Sequence, residues 1–321
     1  MIRDQNMKND RYLLVTIDTE SDKDPAWRIA APLAFTSVTR GVPEIFTPLF
    51  RRHGVRPTYL LSYEVLEDEA SFQVLSGLGD EAELGTHLHT EFVPPGRRLF
   101  LHNMAGQSCY AIQAQLPPEI EGAKLANLTE LFRKSFGYAP VSFRAGRYGM
   151  SPATPALLAK LGYLVDSSVT PGLCWNYPEG VIDYRNSRRE HHWLETPNGP
   201  LLELPISVMP GGTLAPLVRD LPALPGRFIR RILGARSQYL WLRPSWGTGE
   251  DLIRYVKRSN ERFLVMMLHS MEVIPGASPC ARTQAQADRI IAAMDHLFAF
   301  AQQTGIRFCT MAEAARLMPP P

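Results

Sequence analysis

Tyr12-Leu13-Leu14-Val15-Thr16-Ile17-Asp18-Thr19-Glu20 is the stretch on which the fold turns. Five of its first six residues are apolar, with charge on either side, which is the pattern of a strand covered on both faces in a parallel sheet. Side chains alternate along a strand, so Asp18 and Glu20 point the same way and crowd one small volume at its C-terminal end. Like charges held that close perturb each other's pKa unless a cation takes up the charge. In isolation, a helix cap or a turn accounts for the two acids equally well. The rest of the chain decides between these readings.

Downstream, strands and helices alternate. Arg40 to His53 carries Ile45, Phe46, Leu49 and Phe50 on one helical stripe, and Pro57 to Tyr63 reads as a second strand followed by a short helix to Leu78. Ala82 to His89 is a third strand ending in polar groups. Ile120 to Phe136 is an amphipathic helix, with Gly137 placed to end it. Strand Val141 to Arg144, helix Pro152 to Leu161 and strand Tyr163 to Asp166 follow. Further strands are expected at Leu201 to Ile206, Phe263 to His269 and Arg307 to Thr310, with a long helix from Thr283 to Gln303. This alternation predicts an α/β fold, a distorted (β/α) barrel of seven or eight strands, filling residues 1–321 as one unit with long loops near 91–118 and 171–200.

Composition narrows the function. Charged residues make up 21% of the chain, hydrophobic ones 45%, and the net charge is +2, with no long basic run to grip nucleic acid. Four arginines between Arg227 and Arg236 alternate with apolar residues, as on an amphipathic surface helix. Cys109, Cys174, Cys280 and Cys309 are too widely spaced for a zinc knuckle or redox pair, and a reducing compartment is the simplest setting. Neither a signal peptide nor a membrane-spanning run is evident, so a cytoplasmic location is expected.

Seven polar residues collect at five expected strand ends: Asp18, Glu20, His87, His89, Arg144, Asp166 and His269. In a (β/α) barrel the active site lies at that rim. His87 and His89, two apart on a strand end, share a face and can hold one metal ion, with Glu20 or Asp18 as the hard third ligand. Trp175, Trp193, Trp241 and Trp246 are candidates for stacking on sugar faces, or for the core.

Four motifs in this order resemble the polysaccharide deacetylases of the NodB-homology superfamily, carbohydrate esterase family four. They are Asp18-Thr19-Glu20, Gly85-Thr86-His87-Leu88-His89, Phe143-Arg144-Ala145-Gly146-Arg147-Tyr148-Gly149 and Leu268-His269-Ser270-Met271-Glu272. The last two look closest to a bacterial branch associated with surface polysaccharides such as lipopolysaccharide O-antigen. The resemblance implies metal-dependent hydrolysis of an N-acyl group, usually N-acetyl, from an amino sugar. The cofactor it implies is a divalent metal, zinc first, with cobalt, nickel or manganese as alternatives. It implies Asp18 as catalytic base, Glu20, His87 and His89 as metal ligands, and His269 as the acid that protonates the departing amine. Arg144 would pair with Asp18, and Asp166 would orient His269. Arg147, Tyr148 and Glu272 would line the sugar pocket, unless Arg147 and Glu272 form an ion pair. Two departures stand out. Thr19 replaces the second of two adjacent acids, and Glu91 stands where the common spacing has the second histidine, so Glu91 is the alternative to His89. A non-catalytic sugar-binding member, or a hydrolase acting on a formyl group or a cyclic amide, would share these features.

Overall fold

The structure, a computed structural model, describes residues 10–30, 32–97, 112–178, 180–211 and 239–321. Cys109, the arginines from Arg227 to Arg236 and most of the loop after Glu91 lie outside the described residues.

Strand β1 (Tyr12–Thr19) is buried along its whole length and sits inside a curled sheet. It pairs in parallel with β12 (Phe263–His269) on one side and β2 (Thr58–Leu61) on the other, and β13 (Arg307–Phe308) adds to its N-terminal half. The sheet continues through β3 (Glu83–Leu88), β4 (Ser142–Ala145), β5 (Val165–Asp166) and β9 (Leu201–Glu203). It ends on β8 (His192–Leu194), the one antiparallel member. Eight strands thus form one continuous path, the curled α/β sheet that the alternation predicts. The far edge returns to β12 through the segment after β9. The Ser207 amide donates to Val265 O at 3.1 Å, the Val265 amide donates to Ser207 Oγ at 2.9 Å, and the Met267 amide donates to Leu242 O at 3.2 Å.

Strand alternation sorts the apolar residues into two layers. Leu13, Val15 and Ile17 of β1 and Leu264, Met266 and Leu268 of β12 face outward, into a core shared with the helices. Among these are α1 (Thr47–His53), α4 (Pro118–Phe136) and α7 (Gln284–Gln303), lying between α2 (Tyr63–Glu67), α3 (Glu69–Ser76), α5 (Thr154–Lys160) and α6 (Gly249–Arg258). Tyr12, Leu14, Val165, Leu202, Phe263 and Val265 face inward and meet Met311, Ala314 and Ala315 of α8 (Met311–Leu317), which plugs the floor.

Helix boundaries follow local chemistry. Pro118 opens α4, where a missing N–H costs nothing, and Gly137 ends it with φ +78°. The helix expected from Arg40 starts earlier, at Ser37, and its first turns are π-helical up to Phe46, accommodating Pro43. Helix α6 was not expected. Its signal is the box Thr248-Gly249-Glu250-Asp251, in which the Thr248 and Asp251 side chains each satisfy the other's backbone N–H. The region 171–200, expected as loop, contains the hairpin of β6 (Cys174–Tyr177) and β7 (Gly180–Asp183) as well as β8. A second hairpin pairs β10 (Val208–Pro210) with β11 (Tyr239–Trp241). No described helix is long and apolar enough to cross a membrane.

Candidate metal centre and active site

The inward side of β1 changes character along its length, from Tyr12 and Leu14 to Thr16 and Asp18, with Glu20 just beyond the strand. The apolar floor therefore gives way to a polar mouth at the C-terminal ends of the parallel strands. Asp18 lies in register with His269 on β12, and His87 in register with Arg144 on β4.

At the centre of the mouth, Glu20, His87 and His89 bring three possible ligand atoms within 4.8 Å of one another, all buried. His87 Nε2 is 3.3 Å from Glu20 Oε1, His89 Nε2 is 3.1 Å from the same oxygen, and the two Nε2 atoms are 3.1 Å apart. Bonds of about 2.0–2.1 Å to a tetrahedral ion separate its ligands by roughly 3.3 Å, so this triangle has the edge lengths of a metal site. The tautomer agrees as well. His87 Nδ1 is 2.9 Å from Arg144 O, a carbonyl that can only accept, so Nδ1 carries a proton and the neutral ring presents the Nε2 lone pair to the centre. Two imidazoles and a carboxylate sharing one point suit zinc and its borderline neighbours, and the donor set fits such an ion. Burial disfavours the charged form of Glu20, but His89 and Lys23 outweigh it and hold the carboxyl well below its usual range. Burial alone would lower His89, whereas Glu20 and Glu91 raise it to about 9.

Three groups surround this triangle. Arg144, fully buried, donates from Nη1 to Asp18 Oδ1 at 2.6 Å, and from Nη2 to Thr16 Oγ1 and Ser167 Oγ at 2.9 Å each. Against the effect of burial, this guanidinium lowers the Asp18 pKa and keeps it an anion. Glu91 stands behind His89, with Oε1 3.4 Å from Nδ1, and accepts from Arg147 Nη2 at 2.6 Å. It therefore touches the ring nitrogen facing away from Glu20, and it orients the imidazole. On the third side, His269 Nε2 is 3.6 Å from Glu20 Oε1, while its Nδ1 is 2.9 Å from Glu272 Oε1. Glu272 is itself clamped by Arg243, whose charge overcomes burial and brings the carboxyl to about 2.

Two sequence expectations need correcting. Asp166 does not approach His269. On β5 it is Val165 that faces inward, so Asp166 points outward, accepts from Ser168 Oγ at 2.6 Å and lies beside Glu203 on β9. Glu272 takes the place expected of Asp166. Arg147 and Glu272 do not pair with each other either; each is matched to a different partner, Glu91 and Arg243.

Three residues near the centre were not anticipated. Arg243 Nη2 lies 3.1 Å from His269 Nδ1, and its guanidinium carbon is 4.2 Å from the Trp246 ring centroid. Its signal was present: Tyr239 to Leu242 is a short apolar run that ends in a charge before Pro244, as β1 and β12 end in polar residues. Lys23 reaches Glu20 Oε2 at 3.0 Å, and Trp27 sets its ring edge-on to His269 with centroids 5.1 Å apart. These two sit in an irregular loop without periodicity, and no sequence pattern marks them. Trp27 adopts φ +65°, and Arg147 and Tyr148 adopt +55° and +57°. Such values are sparsely populated for residues with large side chains and gather at functional sites. Tyr148, buried beneath the mouth, packs against Trp175, and burial pushes its hydroxyl up to about 12. Trp175, Trp241 and Trp246 line one cavity of about 530 Å³, whereas Trp193 lines another, beside Glu203.

No protein-family profile matches the chain, and no curated protein sequence does. Solved structures do match in fold. PuuE allantoinase aligns with a TM-score of 0.55 at 12% identity, covering 96% of this chain and 89% of its own. A Pseudomonas aeruginosa PAO1 protein named as a probable polysaccharide deacetylase gives 0.54 at 14%, covering 96% and 90%. A Mycobacterium smegmatis protein also named for polysaccharide deacetylases gives 0.50 at 16%, covering 96% and 91%. The chain thus has, over nearly its whole length, the α/β fold of proteins named as polysaccharide deacetylases and of an allantoinase.

Proposed function

We propose that this chain, as one catalytic unit, is a metal-dependent carbohydrate N-deacetylase that removes an N-acetyl group from an amino sugar of a bacterial surface polysaccharide or its cytoplasmic precursor. The observation that carries this reading is the buried Glu20, His87 and His89 triangle, flanked by an ionised Asp18 and by His269. The order of the four sequence motifs and the fold of the deacetylase neighbours support it.

Glu20, His87 and His89 would hold the metal, which when bound supplies Lewis acidity to polarise the acyl carbonyl and acidify water. Asp18 acts as general base, taking the proton from the attacking water, and Arg144 keeps it ionised and aimed. The turn at Gly146 to Tyr148 offers a backbone N–H to the developing oxyanion. His269 gives a proton to the departing amine, and Glu272 and Arg243 fix its ring from the Nδ1 side. Arg147 and Tyr148 shape the wall facing the sugar, Arg147 with its charge matched by Glu91.

The test is acetate release by the zinc- or cobalt-loaded protein from a panel of N-acetylated sugars, free, oligomeric and nucleotide-linked, with N-formyl sugars and a cyclic ureide included. Turnover of an acetylated sugar is expected. Asp18→Asn should lower kcat by at least about a thousandfold while metal content stays stoichiometric, because it removes a base and no ligand. Loss of the metal in that variant would move Asp18 into the coordination shell. Turnover of the cyclic ureide alone would replace the deacetylase reading with the cyclic amidohydrolase reading.

A further inference from the structure

The two oxygens of the Glu20 carboxylate face different partners. Oε1 faces the Nε2 atoms of His87, His89 and His269 at 3.3, 3.1 and 3.6 Å. Oε2 is held by the ammonium of Lys23 at 3.0 Å, with both side chains almost wholly buried. Among the described residues, Glu20 is the only carboxylate within 4.0 Å of this lysine. The backbone pins Lys23 in place. Its amide donates to Ala277 O at 3.0 Å, and it bridges to Ile29 across the turn that carries Trp27. The neighbouring acid, Asp22, accepts instead from the amides of Thr36 and Ser37 at 2.8 and 3.1 Å.

A carboxylate can ligate an ion through one oxygen or through both, and the second mode consumes a coordination position. Catalytic sites of this type keep such a position open for substrate. A buried ammonium on Oε2 takes up one of that oxygen's two lone pairs and repels a dication approaching from its side. We propose that Lys23 is a positioning residue that confines Glu20 to single-oxygen ligation, leaving the metal's remaining position open and its binding weaker than the ligand set alone would give. This rests on the metal-site reading above.

The sign of the expected effect is what makes it testable. Removing an outer partner of a metal ligand ordinarily weakens binding by about 10–100-fold. Here the partner is a cation, and removing it should tighten binding. Chelator-stripped full-length wild type, K23M, K23Q and K23R are titrated with Zn²⁺ by calorimetry and loaded with Co²⁺ for visible absorption. K23M and K23Q are expected to bind Zn²⁺ about tenfold more tightly, with weaker Co²⁺ bands as the coordination number rises. K23R, which keeps the charge, should match wild type. Either folded neutral variant suffices if the other does not fold. Equal or weaker Zn²⁺ binding in the neutral variants, with an unchanged Co²⁺ spectrum, overturns the inference while leaving the metal site intact. Failure of every folded protein, wild type included, to take up metal overturns the metal reading and this inference with it.

Discussion

Asp166 and Glu203 are both fully buried, stand opposite each other on β5 and β9, and each leaves one oxygen without a hydrogen-bond partner. Burial, followed by the mutual repulsion of the two acids, pushes the Glu203 carboxyl well above its usual range, and burial raises Asp166 as well. Between the ordinary carboxyl value and the raised folded one, the native chain binds more protons than the unfolded chain, so the pair costs stability as pH rises through that window. Glu203→Gln keeps a neutral amide in place of the protonated acid and removes the Glu203 share of the titration together with its repulsion of Asp166. Its melting temperature should therefore fall less than that of wild type between pH 5 and pH 8, with a relative gain on the order of 1–3 kcal/mol at the upper end. Parallel curves for the two proteins would show that the acids are not the source of the slope. At this scale the sequence misled for a definite reason. A strand of two residues, Val165–Asp166, is too short to reveal its own alternation, so the face that Asp166 takes is set by pairing with β9 and not by local pattern.

The turn after β4 shows how an element places a ligand from a distance. A Cβ added at Gly146 would come within 2.5 Å of Leu88 O and 3.1 Å of both Cδ2 and Nε2 of His89. Two segments meet here with no room between them, so Gly146→Ala should push the end of β3 and the imbalance should fall on His89. The expected result is a loss of about tenfold or more in Zn²⁺ affinity, together with roughly 1–3 kcal/mol of stability. Gly137→Ala, at a helix end with φ +78° and open space around it, is the control: it should cost about 1–2 kcal/mol and leave metal affinity untouched. Strands β1 and β12 were legible because each is a nearly continuous apolar run stopped by a polar residue, as in β12 with Leu268 before His269, and β3 was marked by its paired histidines. Arg243 carries the same signature, but its run of four apolar residues is too short to mark a strand by itself. The loop residues Lys23 and Trp27 were not legible, since only tertiary contacts with Glu20 and His269 give them their places.

At the scale of the molecule, alternation of strand and helix was enough to anticipate a curled sheet with its polar mouth at one rim. The matching solved structures, at 12–16% identity, show how little residue identity that architecture needs. What alternation did not reveal is how the ring is finished, because Ser207 and Leu242 bridge to β12 from irregular backbone. Nor did it reveal the base. Helix α8 has seven residues, too few to persist alone in water. Yet Met311, Ala314 and Ala315 share one apolar layer with β1, β5, β9 and β12. Detaching the helix would wet that layer, so its local opening should be tied to collapse of the entire sheet. Deuterium exchange should accordingly find the amides of Ala314 and Ala315 protected nearly as long as those of β1, and rapid labelling there would mean that the base is a loose lid that opens without disturbing the strands above it.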